Sequence, residues 1–103
     1  MDTMKMENTY QLPTYDKMPL VINHGKGAYV WDQGGKKYLD FYGGHAVALI
    51  GHCHPSVIAA VKKQLDKLTF YSNVVYNDQR ALTAKKLIEL TQGKYASVFF
   101  CNS

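Results

Sequence analysis

Residues 95–101 read Tyr-Ala-Ser-Val-Phe-Phe-Cys, an unbroken run of mostly apolar and aromatic side chains. Such runs are typical of strands that are buried on both faces of a parallel sheet. A parallel sheet needs further strands and covering helices, and here Asn102 and Ser103 follow directly. We therefore predict a buried strand of an α/β fold, and we expect the 103 residues to be the front part of a longer protein.

The first half of the chain has the alternating pattern of short antiparallel strands. A strand is predicted to open at 20–22. Residues 24–27 are interpreted as a turn rather than a nucleotide-binding loop, because the third glycine of that motif is missing. Residues 28–32 alternate, and 37–41 return after the hairpin connection 33–35. Together these segments predict a three-stranded antiparallel meander.

Two helices follow the predicted meander. The first is predicted over 55–68, with Pro55 in its first turn and apolar residues at helical spacing. The second is predicted over about 78–91, where Asn77 is the N-cap and Gly93 ends the helix.

The connector 69–76 separates two unlike pieces of the chain. A meander with one helix precedes it, and a helix that leads into the buried strand follows it. We predict an N-terminal arm at 1–18, loose or suited to docking. The first part of a small domain is predicted at 19–70, and the beginning of a larger domain at 71–103.

Composition excludes several classes of protein. The chain is 47% hydrophobic and 19% charged, with a formal charge of +4, which argues against disorder. Its two cysteines cannot form a disulfide scaffold, and no apolar run reaches the roughly 20 residues of a membrane span. The N-terminus lacks the apolar segment of a secretory signal. We expect a soluble cytoplasmic protein, with neither a membrane nor nucleic acid as a partner.

Three potential metal ligands, His52, Cys53 and His54, stand in a row. Neighbouring side chains diverge, and no second cluster of ligands follows that could complete a tetrahedral site. We therefore predict no metal site. We expect a polar approach to the helix, in which a histidine hydrogen-bonds the free amides of the first turn.

Two polar segments allow a structural and a functional interpretation. Tyr71 and Asn73 either cover a domain junction or line a substrate cleft. The same choice holds for His45, because the preceding glycines let a ligand approach the backbone closely. Asn102 and Ser103 follow the predicted strand, where α/β sheets bind ligands.

From about residue 20 onwards, the ordered motifs resemble those of class III pyridoxal-phosphate aminotransferases. The motifs are Val-Trp-Asp, Tyr-Leu-Asp-Phe, Gly-Gly, Gly-His-x-His-Pro, the Tyr-Ser-Asn connector and Phe-Phe-Cys-Asn-Ser. The Gly-Gly-x-Ala-Val form is most similar to the acetylornithine and succinylornithine branch. The resemblance implies the N-terminal portion of a fold-type I transferase that depends on pyridoxal 5'-phosphate and is a homodimer at full length.

The resemblance also implies roles for three residues. Ser103 is expected to contact the cofactor phosphate, and His45 to line the substrate entrance. Tyr71 is expected near the active site at the dimer interface. The Schiff-base lysine, the aspartate that pairs with the pyridine nitrogen and the substrate-binding arginine belong to later segments of the family. By itself, this chain is therefore expected to be inactive.

The reaction that the resemblance implies is amino transfer from N-acetyl- or N-succinylornithine to 2-oxoglutarate, in arginine biosynthesis. Ornithine and 4-aminobutyrate stay open as donors, because histidine at position 45 departs from the tyrosine or isoleucine that relatives often have there. An alternative of another class is a small basic α/β interaction module without catalysis. Such a module would be complete at 103 residues and would unfold in one cooperative transition.

Overall fold

The computed structural model describes residues 2–102, which form two compact units that meet in sequence between Lys67 and Leu68. The first unit holds the sheet, and the second holds the longest helix. The division into an arm at 1–18, the first part of a small domain at 19–70 and the beginning of a larger domain at 71–103 remains a prediction. In chain order the elements are α1 (Thr3–Tyr10), β1 (Ile22–Lys26), β2 (Tyr29–Asp32), β3 (Lys37–Leu39), α2 (Gly43–Ala46), α3 (Pro55–Leu65) and α4 (Asp78–Leu90).

The three strands form one antiparallel sheet in the order β1-β2-β3, which confirms the predicted meander. Lys26 pairs with Tyr29, so the first hairpin turns at 27–28. The turn predicted at 24–27 is therefore misplaced, because most of that stretch belongs to β1. The tight turn needs a left-handed residue, and Gly27 provides it at φ +57°.

Asp32 organises the second hairpin, whose predicted connection at 33–35 is confirmed. Its carboxylate accepts a hydrogen bond from the Lys36 amide at 2.9 Å and another from the Tyr38 hydroxyl at 2.7 Å. The bond with Tyr38, followed by that with Lys36, lowers the pKa of Asp32. The same bond with Asp32 raises the pKa of Tyr38.

Both predicted helices are confirmed, with shorter ends. Helix α3 has Pro55 in its first turn and ends at Leu65, three residues before the predicted end. Helix α4 follows Asn77, whose side chain accepts a hydrogen bond from the amide three residues later at 3.0 Å. After α4 the left-handed conformation begins at Gln92, with φ +52°, and continues at Gly93, with φ +81°.

The N-terminal segment contains a helix, α1, over Thr3–Tyr10, and residues 11–21 have no helix or strand. The arm at 1–18, loose or suited to docking, remains a prediction. The Asp2 side chain caps α1 by accepting hydrogen bonds from two amides of its first turn. Lys17 folds back onto the helix, with Nζ 2.7 Å from the carboxylate of Glu7 and 3.0 Å from the side-chain oxygen of Gln11. One N-cap and one ion pair thus order a segment whose composition is polar.

Residues 95–101 form no strand in the part of the chain that the structure describes, so the predicted buried strand is wrong here. Phe99 is 85% exposed. Residues 98–100 line a cavity of about 500 Å³ together with residues 73–76 and Arg80. A strand exists through hydrogen bonds to a neighbouring strand, and none lies beside this segment among residues 2–102.

Apolar side chains remain accessible throughout the described residues, where none is fully buried. Of the helices that these residues form, none combines the length and the apolar character that crossing a bilayer requires.

Candidate functional site

The turn of the first hairpin, 27–28, is bonded to the loop formed by residues 40–52. Gly27 and His52 exchange two backbone hydrogen bonds, of 2.9 and 2.8 Å. Gly51, at φ +83°, lies so close that a Cβ on it would be 3.0 Å from backbone atoms of Gly27. The two segments meet at this distance because glycine leaves the space open.

Asp40 forms hydrogen bonds in three directions. Its Oδ1 accepts from the amides of Tyr42 and Gly43 at 3.0 and 2.8 Å, and its Oδ2 lies 2.6 Å from Nε2 of His52. Its own amide donates to the carbonyl of Ala28 at 2.9 Å. The bond with His52, followed by that with the Gly43 amide, lowers the pKa of Asp40, so the side chain is a carboxylate at neutral pH.

The ring of His52 lies against the sheet at Gly25. A Cβ on Gly25 would be 2.8 Å from Cβ of His52 and 2.9 Å from its Cγ. His54, the N-cap of α3, makes no side-chain capping bond, so the expected hydrogen bond from a histidine to the first turn is wrong. The His52 ring bonds Asp40 instead. Residues 2–102 contain no group of three side chains that could hold a metal ion.

Helix α2 is a single left-handed turn. Its φ angles are +58° at Gly43, +60° at Gly44, +65° at His45 and +59° at Ala46. Glycine adopts this conformation freely, whereas each residue with a Cβ is destabilised in it by about 1–2 kcal/mol. Strained segments of this kind persist where their surroundings hold them, and they cluster at functional sites.

His45 is exposed, and its side chain is held by a neighbour. The hydroxyl of Tyr42 lies 2.9 Å from Nδ1 of His45, and the two rings meet edge-on with their centroids 5.7 Å apart. A cleft of about 360 Å³ in the same unit is lined by Asp40, Leu49, His52 and neighbouring residues. The sequence patterns indicate His45 as a candidate but assign no role to Tyr42 or Asp40. An aspartate three residues before the first glycine of the pair was the available signal, because aspartate often bonds amides two or three residues later.

Tyr71 belongs to the second unit, on a connector that Arg80 organises. The guanidinium of Arg80 donates hydrogen bonds to the Asn73 side chain and to the Val75 carbonyl. Tyr71 itself is exposed, and the described residues offer its hydroxyl no hydrogen-bond partner. Ser103 lies outside the described residues. The substrate roles of His45 and Tyr71 and the phosphate contact of Ser103 therefore remain predictions.

Among residues 2–102, the guanidinium of Arg80 is not available to the phosphate of pyridoxal 5'-phosphate. Arg80 is the only arginine of the chain, and its guanidinium is already bonded within the connector. The residue that the resemblance assigns to the phosphate, Ser103, is outside this range.

A family model described as aminotransferase class-III matches residues 10–103. An acetylornithine aminotransferase of Methanopyrus kandleri is 42% identical over 103 residues, which are 100% of this chain and 26% of the relative. Another, of Methanocaldococcus jannaschii, is 47% identical over 98 residues, which are 95% of this chain and 24% of the relative. The chain thus spans about a quarter of the length of these curated relatives.

Solved structures show the same similarity. Plasmodium falciparum ornithine delta-aminotransferase matches with a TM-score of 0.85 and 33% identity, over 91% of this chain and 24% of that one. Taurine:2-oxoglutarate aminotransferase of Bifidobacterium kashiwanohense, solved with PLP and glutamate, matches with a TM-score of 0.87 and 26% identity, over 95% and 23%. These matches confirm the predicted fold class, which is an α/β fold that forms the N-terminal portion of a fold-type I transferase.

Proposed function

The chain belongs to the class-III aminotransferases, and from this membership we propose that the whole protein transfers the amino group of N-acetyl- or N-succinylornithine to 2-oxoglutarate. The supporting observation is the 42% identity over 103 residues to a curated acetylornithine aminotransferase. Pyridoxal 5'-phosphate is the proposed cofactor, and it would supply the electron sink for the reaction. We place the reaction in arginine biosynthesis and the enzyme in the cytoplasm, as a homodimer.

The proposal assigns three residues of this chain to binding and none to the chemical step. His45 would line the substrate entrance. Its position in a strained left-handed turn supports this role, because such turns cluster at ligand sites. Tyr71 would approach the substrate at the dimer interface, and Ser103 would contact the cofactor phosphate.

Ornithine is the second candidate donor. The observation that favours it is the 33% identity to an ornithine delta-aminotransferase over 91% of this chain, against 26% to the taurine:2-oxoglutarate aminotransferase. The other alternative, a small basic interaction module, has no support in the comparisons, because the aminotransferase family model extends over residues 10–103.

Steady-state kinetics of the whole protein test the proposal. N-acetylornithine, N-succinylornithine, ornithine and 4-aminobutyrate are each supplied with 2-oxoglutarate, and glutamate formation is followed. We expect kcat/KM for an acylated ornithine to exceed that for ornithine by about tenfold or more. A preference for ornithine or 4-aminobutyrate would reject the proposed donor, and no glutamate with any amine would reject amino transfer. The 103-residue chain alone should form no glutamate.

A further inference from the structure

The left-handed turn α2 contains two residues that do not favour its conformation. His45 and Ala46 carry Cβ atoms at φ +65° and +59°. Three backbone hydrogen bonds of ordinary length close the turn: one from the Ala46 amide to the Tyr42 carbonyl at 3.0 Å, and two from the Val47 and Ala48 amides to the Gly43 carbonyl at 3.0 and 2.9 Å. These bonds do not remove the conformational cost at His45 and Ala46, which contacts from outside the turn can help to offset.

Asp40 makes the contacts that can hold this turn. Its Oδ1 binds the amides of Tyr42 and Gly43, where the chain enters the turn. Its Oδ2 is bonded to His52, whose backbone is paired with Gly27 of the hairpin. The Asp40 side chain is only 13% exposed, so little water competes for these oxygens. One carboxylate thus connects the turn to the sheet.

We propose that Asp40 is a positioning residue of the substrate site, which holds the left-handed turn and thereby sets the place of the His45 imidazole. The inference rests on the proposed function, because contact between His45 and the substrate is part of that function. Tyr42 completes the arrangement, since its hydroxyl fixes the His45 ring at Nδ1. The backbone and the side chain of His45 are then held by different residues.

The Asp40→Asn variant of the whole protein tests this role. Asparagine keeps the size of the side chain but not its charge. Its Oδ1 can still accept from the Tyr42 and Gly43 amides, while its Nδ2 places a donor where the carboxylate offers His52 an acceptor, so the charge-assisted hydrogen bonds are lost. We expect the KM for the amino donor to rise about tenfold while kcat falls less than about threefold. Hydrogen exchange at the amides of residues 42–46 should become faster. Asp16→Asn is the matched control, because Asp16 is exposed and has no hydrogen bond among residues 2–102.

A second substitution separates positioning from a general loss of structure. Glycine at position 46 removes the Cβ that opposes the left-handed conformation. We therefore expect Asp40→Asn/Ala46→Gly to recover about threefold or more of the kcat/KM lost in Asp40→Asn. Ala48→Gly should recover nothing, because Ala48 does not have a positive φ.

Two outcomes would overturn the inference. One is unchanged hydrogen exchange at residues 42–46 in Asp40→Asn, and the other is equal recovery from glycine at 46 and at 48. The exchange measurement needs no substrate. If the wild-type protein turns over no amino donor, the proposed function fails, while the exchange measurement still decides whether Asp40 holds the turn.

Discussion

The loop 40–52 and the segment 95–101 are both rich in apolar residues, yet only the loop is tied to a defined partner. The loop is bonded to the hairpin through Gly27 and His52, which are distant in sequence. Segment 95–101 pairs with no strand among residues 2–102. The difference shows that an apolar run becomes a defined element only when the chain brings a partner to it, because backbone hydrogen bonds need a second segment.

Gly51→Ala is expected to have the largest effect, because it blocks the contact between the loop 40–52 and the first hairpin. Its Cβ would lie 3.0 Å from backbone atoms of Gly27, at φ +83°. The left-handed penalty of about 1–2 kcal/mol and an overpacking cost of about 1–3 kcal/mol should together destabilise the contact by about 2–5 kcal/mol. Hydrogen exchange at the amides of Gly27 and His52 measures this opening free energy.

Gly35→Ala is the matched control for that experiment. Gly35 has the same φ of +83°, but a Cβ there would meet nothing within 4 Å. Only the conformational penalty of about 1–2 kcal/mol is expected. Equal losses in the two variants would mean that the close approach of Gly51 to the hairpin contributes nothing.

The elements that could be predicted have signals within a few residues. The alternation at 28–32 predicts a strand, and Pro55 and Asn77 mark the starts of two helices. The polar helix α1 was missed because its main local signal is the single capping residue Asp2. In 95–101, the pattern indicates a preference for burial but cannot indicate what would cover the segment.

The candidate site was only half predictable. Sequence motifs contained both Asp40 and His52, but no local pattern pairs residues that far apart. Their contact depends on the register of the hairpin, which bonds the Asp40 amide to Ala28. The left-handed conformation of His45 was also unforeseen. Few residues other than glycine adopt it, although histidine does so more often than most, and the two preceding glycines alone do not require it.

Acid should lower the stability of the loop 40–52 against local opening more than that of the segment 95–101. Since the pKa of Asp40 is lowered in the folded state, its contribution to stability is complete above the usual value of about 3.9. The contribution is lost as pH falls through the folded-state pKa, because the unfolded state then binds more protons. Segment 95–101 has no carboxylate and should lack this step. Hydrogen exchange against pH, corrected for intrinsic rates, measures both segments.

In Asp40→Asn, the stability of the loop 40–52 should fall much less as the pH is lowered. The fall in wild type is called the acid step below. Asp32→Asn is the control, because the pKa of Asp32 is also lowered, mainly by its bond with Tyr38. The Asp32 variant should keep the step at Gly27 and His52. If the step survives in Asp40→Asn and disappears in Asp32→Asn, the second hairpin, rather than the loop, responds to acid.

The smallest effect is expected from Phe99→Ser in segment 95–101. Phe99 is 85% exposed, so its replacement removes few contacts and should change the opening free energy of the second unit by less than about 0.5 kcal/mol. Val98→Ser is the matched control, because both residues line the cavity beside Arg80 but Val98 is half-buried. Val98→Ser should lower the opening free energy of the second unit by about 1 kcal/mol or more. Hydrogen exchange at the amides of α4 in the 103-residue chain measures both.

A loss above about 2 kcal/mol for Phe99→Ser would contradict the comparison, because only a packed side chain contributes that much. The two substitutions differ in burial but both replace an apolar side chain with the same hydroxyl. A general effect of polarity would therefore move them together, whereas packing moves Val98→Ser alone. If Phe99→Ser has the larger effect, the segment has a partner within the chain, and a missing neighbour no longer explains why 95–101 forms no strand.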